Sequence, residues 1–177
     1  MTFATVSEGL IFLAFVVLLG VVLVRDVTSY TIPNGVVLAI TALFLPAFLL
    51  HAGDVQFLSH LLAGLAVLIP GWVLFHFRMF GGGDVKAWAA IALWYGLENL
   101  APMVLAIAVI GGALGITLLL VRGLLPPRTT PSGANRHRLR DARIWQRGAP
   151  IPYGLAIAAG TVLTINKIPL FANLPMP

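Results

Sequence analysis

The 177-residue chain contains no cysteine, which excludes disulfides, thiolate metal sites and cysteine nucleophiles and leaves the redox compartment open. Charge is nearly as sparse. Only 10% of the residues are charged, six acidic against eleven basic, well below the share in an ordinary soluble domain. In their place stand 59% hydrophobic residues and a mean hydropathy of +0.98. Those values describe an integral membrane protein. A net charge of +5 would suggest a nucleic-acid partner in a soluble protein. Here the cations sit between apolar segments, where they set membrane topology, so no nucleic-acid partner is expected.

Six apolar segments follow one another, at about 9–24, 33–50, 57–77, 85–97, 100–121 and 151–168. Each is weighed against the roughly 20 residues a helix needs to cross a bilayer. The first is preceded by Glu8 instead of a basic region and followed by no A-x-A-like site, so it is expected to be a retained helix and not a signal peptide. The fourth is short and begins at a glycine run, so a re-entrant segment is its alternative. If all six cross, ten of the eleven cations share one side: Arg25, Arg78, Lys86, Arg122 and the six arginines of the loop 122–149 beyond it, with only Lys167 opposite. The positive-inside rule then places that side in the cytoplasm and both termini outside. The expected fold is all-α: one membrane-embedded domain over 1–177, with six transmembrane helices and a basic cytoplasmic loop at 122–149.

Asp26 and Asp84 fall on the cytoplasmic side of this arrangement, close to the membrane surface. Carboxylates at membrane depth are costly and mark function. Two of them close together cannot both ionise, so the pair holds one proton. The ionised member activates a water and the protonated member hydrogen-bonds a scissile carbonyl, which is aspartic protease chemistry and requires no metal or cofactor. Lys86, two residues after Asp84, would favour ionisation if it lies close. Gly81, Gly82 and Gly83 permit positive φ and a close backbone approach, so a substrate strand could lie against them. Structural roles compete with these. Asp84 also suits the N-cap of the fourth helix, and Asp26 also suits a boundary charge beside Arg25 or Lys86.

The stretch Asp26-Val27-Thr28-Ser29-Tyr30-Thr31-Ile32-Pro33-Asn34 resembles the D-x5-IPN element of the type IV prepilin peptidases. Phe80-Gly81-Gly82-Gly83-Asp84-Val85-Lys86 resembles their G-x-G-D-x-K element, in the same order. Pro152-Tyr153-Gly154 is similar to the Pro-Tyr-Gly stretch opening the last helix of the short members, which serve Flp or tight-adherence pili. The resemblance implies a GxGD-type aspartic endopeptidase that removes the basic leader of prepilins, typically after a glycine, at the cytoplasmic face of the bacterial inner membrane. It implies Asp26 and Asp84 as the catalytic pair, Gly81 and Gly83 as shapers of their loop, and Lys86 as a close neighbour. Basic residues that many relatives carry before IPN are replaced here by Thr28, Ser29, Tyr30 and Thr31. The zinc-binding CxxC insertion of the larger, N-methylating members has no counterpart, so a peptidase without methylation is implied.

Pro33 and Asn34 are expected to start the second helix. Gly154, Ala156, Ala158, Ala159 and Gly160 are expected to pack the last helix against its neighbours, and Tyr153 to sit as an interfacial aromatic with substrate contact as its alternative. In the basic loop, Arg136, Arg140, Arg143 and Arg147 would form one stripe of a helix lying on anionic headgroups. His51 and His60 fall outside, away from the aspartates, His76 lacks spaced partners for a metal, and His137 belongs to the basic loop. A small proton-coupled transporter using Asp26 and Asp84 as carriers is the competing function. Its sites would be expected near the midplane between repeats, and no repeat is visible.

Overall fold

A computed structural model describes residues 3–124 and 151–174, and all regular structure among them is helical. The six main helices are α1 (Phe3–Ser29), α2 (Asn34–Leu50), α3 (Phe57–His76), α4 (Gly82–Tyr95), α5 (Leu100–Leu124) and α6 (Tyr153–Leu163). Two 3-10 turns, Ile165–Lys167 and Pro169–Phe171, follow α6. The basic stripe at Arg136, Arg140, Arg143 and Arg147, and most of the loop carrying it, lies outside the described residues.

Every expected segment corresponds to a helix, with its bounds moved. The first runs on through Arg25 and Asp26 to Ser29, because a helix propagates through polar residues once its hydrogen-bond ladder is established. It stops where Tyr30 takes a left-handed φ of 53° and its N–H closes on the Asp26 carbonyl at 2.9 Å. The fourth helix starts at Gly82, three residues earlier than hydropathy indicates, and ends at Gly96 with φ 67°. The sixth is only 11 residues long. Its apolar pattern continues to Ile168, but Pro169 cannot extend the ladder and restricts the residue before it.

Among the described residues, three helices are long and apolar enough to cross a membrane: Val6–Ser29, Phe57–His76 and Leu100–Leu124. α4 differs from them. Its 14 residues span only about 21 Å, short of a hydrocarbon core of about 30 Å, yet its buried positions include Val85, Ala87, Ala89, Ile91, Trp94 and Tyr95. It is the shared core of the bundle, packed on α2, α3, α5 and α6, while α1 packs on α2 and α6, and α5 on α6. Small residues let these helices approach closely. A Cβ on Gly71 would lie 2.7 Å from the Val85 side chain, and one on Gly160 would lie 2.5 Å from Ile107. Fully buried Phe15, Trp94 and Phe171 stack together in the core. Trp94 donates its indole N–H to the Ile40 carbonyl at 3.3 Å, satisfying the polar atom such a residue carries inside. Leu10, Leu13, Leu38, Leu105 and Leu119 are exposed, an outer surface suited to lipid.

Candidate active site

Asp26 stands in the last turn of α1 and is 3% exposed. Asp84 stands in the first turn of α4. A cavity of about 590 Å³ is lined by both aspartates together with Tyr30, Phe80, Gly81 and Tyr153. Arg78 and Met79 from the turn after α3, Gly111 of α5 and Ile151 complete the wall. Two of the wall residues, Tyr30 and Arg78, hold positive φ without being glycine, a strain that concentrates at functional sites.

The N-cap of α4 is Gly81, with extended backbone at φ −73° and ψ 135°. Asp84 is therefore the third helical residue and not the cap. Its carboxylate reaches back to the Gly81 backbone N–H, the return arm of a capping box. The glycine run also works differently from expectation, since all three glycines have ordinary negative φ and the only positive-φ glycine among the described residues is Gly96. Space is the constraint. A Cβ on Gly81 would sit 2.6 Å from Asp84 Oδ2, one on Gly82 would sit 3.1 Å from the Phe75 ring, and one on Gly83 would sit 3.4 Å from Ile32. The run lets the start of α4 press against α3 and the α1–α2 connection while leaving room for the carboxylate.

The other carboxylate is gripped from across the bundle. Leu155 N–H, in the first turn of α6, donates to Asp26 Oδ2 at 3.3 Å, and the Gly154 N–H also acts on that carboxylate. A Cβ on Gly154 would lie 2.7 Å from the Asp26 Cβ, so this approach requires glycine. Asp84 precedes the fourth apolar segment and lies outside the three helices long and apolar enough to cross a membrane. Burial, and next the charge of Asp26, push its carboxyl up from 3.8 to about 7, against the pull of the Gly81 N–H. The two carboxyls thus line one cavity and act on each other's ionisation.

Several expected neighbours occupy other places. Lys86 is exposed and directs Nζ to Asn34 Oδ1 at 3.4 Å. It lines a separate groove between α2, α3 and α4, and the aspartate cavity does not include it. Pro33 is the N-cap of α2 at φ −63° and ψ 138°, one residue before the helix, and Asn34 is the first helical residue. Tyr153 stands on the cavity wall. Its ring packs edge-on to Phe80 at 4.7 Å and fills the space above Gly111, where a Cβ would come within 2.5 Å of it. His51 and His60 lie away from the cavity, and His76 closes α3 beside Trp72 and Phe77. Sequence reasoning gave Gly154 a packing role only and passed over Tyr30, Arg78, Gly111 and Ile151. The Gly111-Gly112 pair inside an apolar run was the available signal for the third of these.

No curated protein and no solved structure matches the chain. A family model described as the type IV leader peptidase family matches residues 13–116. The matched stretch includes Asp26, Asp84 and the whole glycine run, and it stops before α6. It covers more than half of the sequence, with three helices able to cross a membrane, and it implies a protease whose substrate is a prepilin: this chain belongs to the type IV leader peptidase family.

Proposed function

We propose that this protein is an aspartic endopeptidase that removes the basic leader of Flp-type prepilins at the cytoplasmic face of the bacterial inner membrane, leaving the new N-terminus unmethylated. The observation that carries this reading is the cavity into which α1 and α4 each deliver one carboxyl. A buried and a half-buried carboxyl with one proton between them supply a base for water and an acid for the carbonyl at the same time. The held-up Asp84 carboxyl is of the kind found at catalytic acids. The wall of Phe80, Tyr30 and Tyr153 would exclude bulk water from the bond being cut.

The membrane arrangement belongs to the same proposal. All six helices cross or enter the bilayer as one peptidase domain over 1–177, both termini lie outside the cytoplasm, and the basic loop at 122–149 meets anionic headgroups. The charge distribution supports this, because it puts ten of eleven cations on the side of the aspartates. The native chain has no thiol, so single cysteines at Ser29, Ser132 and Gly53 test it directly. The first two should react from the cytoplasm and the third from outside, and outside labelling of Ser132→Cys would overturn the arrangement.

The test of function is incubation of the purified protein in detergent with candidate Flp-type prepilins, with the products mapped by mass spectrometry. The expected result is one cut after the leader's final residue and an unmodified mature N-terminus even with a methyl donor supplied. A methylated product would refute the peptidase-only assignment, and absence of any cleavage in detergent, where no ion gradient exists, would return the transporter reading.

A further inference from the structure

The two carboxyls are held unequally, and the difference originates in α6, which lies beyond the stretch matched to the family. Asp26 sits at the C-terminal end of α1, where the helix's own carbonyls oppose a negative charge. Opposite it, α6 begins with Pro152 as its N-cap and no side-chain capping bond. The N–H groups of Gly154 and Leu155 belong to the first turn of α6 and have no partner inside that helix. They are spent on the Asp26 carboxylate instead. Asp84 receives one backbone N–H, that of Gly81.

We propose that the first turn of α6 assigns the roles within the pair, with Gly154 as the positioning residue: Asp26 is held as the ionised base and Asp84 carries the proton. In a pair that shares one proton, hydrogen bonds donated to one carboxylate favour its charged form and send the proton to the other. Asp26 then takes a proton from water as the water oxygen bonds to the scissile carbon, while the Asp84 proton moves to the carbonyl oxygen. On collapse, Asp26 returns its proton to the leaving nitrogen as the C–N bond breaks, and Asp84 recovers its proton from the diol. One water is consumed, and the pair ends with the single proton it began with. The other ionisable groups on the cavity wall are Tyr30 beside α1, Arg78 after α3 and Tyr153 of α6. None of the three is a carboxyl or an imidazole.

This inference rests on the aspartic reading and is tested on the full-length protein by the pH dependence of kcat/KM for prepilin cleavage. Replacing Leu155 by its α-hydroxy analogue removes the N–H and keeps the side chain. Gly154→Ala forces α6 away from Asp26, and thermal melts of both proteins report whether the bundle is intact. The expected result for the Leu155 analogue is an acid limb moved upward by roughly half a pH unit or more, with the maximal rate down about tenfold and the melt near wild type. Gly154→Ala should move the same limb in the same direction. Equal loss at every pH with the limb unmoved in the Leu155 analogue would overturn the proposal and leave α6 a packing element. Cleavage persisting in both Asp26→Asn and Asp84→Asn would instead sink the aspartic reading, and this inference with it.

Discussion

Near the start of α1, Glu8 is buried beside His51, which caps the C-terminal end of α2, and Asn173 from the C-terminal segment. About 27 Å further along the same helix, Asp26 is buried beside Asp84. At the first site Glu8 Oε1 faces His51 Nε2 at 3.3 Å and accepts from Asn173 Nδ2 at 3.2 Å. His51 Nδ1 is in turn tied to the Ala47 carbonyl at 3.1 Å. Side chains from two further segments converge on one carboxylate oxygen, and both Glu8 and His51 are 5% exposed. At the second site a carboxylate has another carboxylate for its neighbour and an open cavity beside it. The first arrangement fastens three stretches of chain together. The second sets like groups against each other, a cost that only a function repays.

The largest expected effect separates the two ends by what is lost. Asp26→Asn and Asp84→Asn should each reduce prepilin cleavage by about a thousandfold or more, and the double variant should be no worse than either single, since residues acting as one unit are strongly non-additive. Protein abundance should stay near normal. Glu8→Ala should do the reverse, keeping turnover per folded molecule while lowering stability. It removes the carboxylate that buried His51 and the exposed Asn173 amide meet, a loss of roughly 1–3 kcal/mol by the usual cost of one orphaned buried partner. Chemical denaturation in detergent measures the second effect and single-turnover cleavage the first. If Glu8→Ala stopped cleavage without loosening the fold, the division of labour between the ends would be wrong.

Legibility in the sequence follows the same division. Asp26 and Asp84 stand out because an isolated acid in apolar sequence is visible one residue at a time, and the spacing to Ile32-Pro33-Asn34 and Gly81-Gly82-Gly83 is local. The Glu8–His51–Asn173 cluster joins residues far apart in the chain, and nothing in the local pattern at any of them indicates the others. The grip of Gly154 on Asp26 is hidden for the same reason, so the sequence suggests only generic packing there. Hydropathy misplaces helix ends because it reports contact with lipid, whereas the ends are fixed by backbone events at Tyr30, Gly81 and Gly96. Glycine runs suggest unusual φ, but at Gly82 and Gly83 the demand comes from Phe75 and Ile32, residues that sequence proximity does not bring to mind.

A smaller effect sharpens the contrast through pH. The folded-state pKa of Asp84 is raised from 3.8 to about 7, so the native protein holds this proton more tightly than the unfolded chain. The associated stability is fully present below about pH 4 and is lost as pH rises through about 7. Asp84→Asn removes the ionisable group, so its melting temperature should exceed that of wild type above pH 7. Allowing for partial solvent access, the gain should be roughly 1–3 kcal/mol. Wild-type cleavage should fall over the same alkaline range as the shared proton is lost. Melts from pH 5 to 9 would check the sign, and a wild-type stability that rises through pH 7 would contradict it.

The smallest effect is expected at Lys86, although sequence proximity made it a neighbour of the pair. Positions 84 and 86 of a helix are separated by about 200° around its axis, so two side chains only two residues apart leave α4 in nearly opposite directions. Asp84 turns to the cavity shared with Asp26, while Lys86 turns to the groove between α2, α3 and α4 and meets Asn34. An exposed ammonium with one long hydrogen bond contributes little, about 0–1 kcal/mol at most for a solvated charged contact. Lys86→Met should therefore change kcat/KM by less than about threefold and leave the alkaline limb where it is, because no favourable charge is withdrawn from Asp84. An alkaline limb moved upward by a full pH unit in that variant would place the ammonium against the carboxyl pair during catalysis. It would also mean that the start of α4 turns when substrate binds.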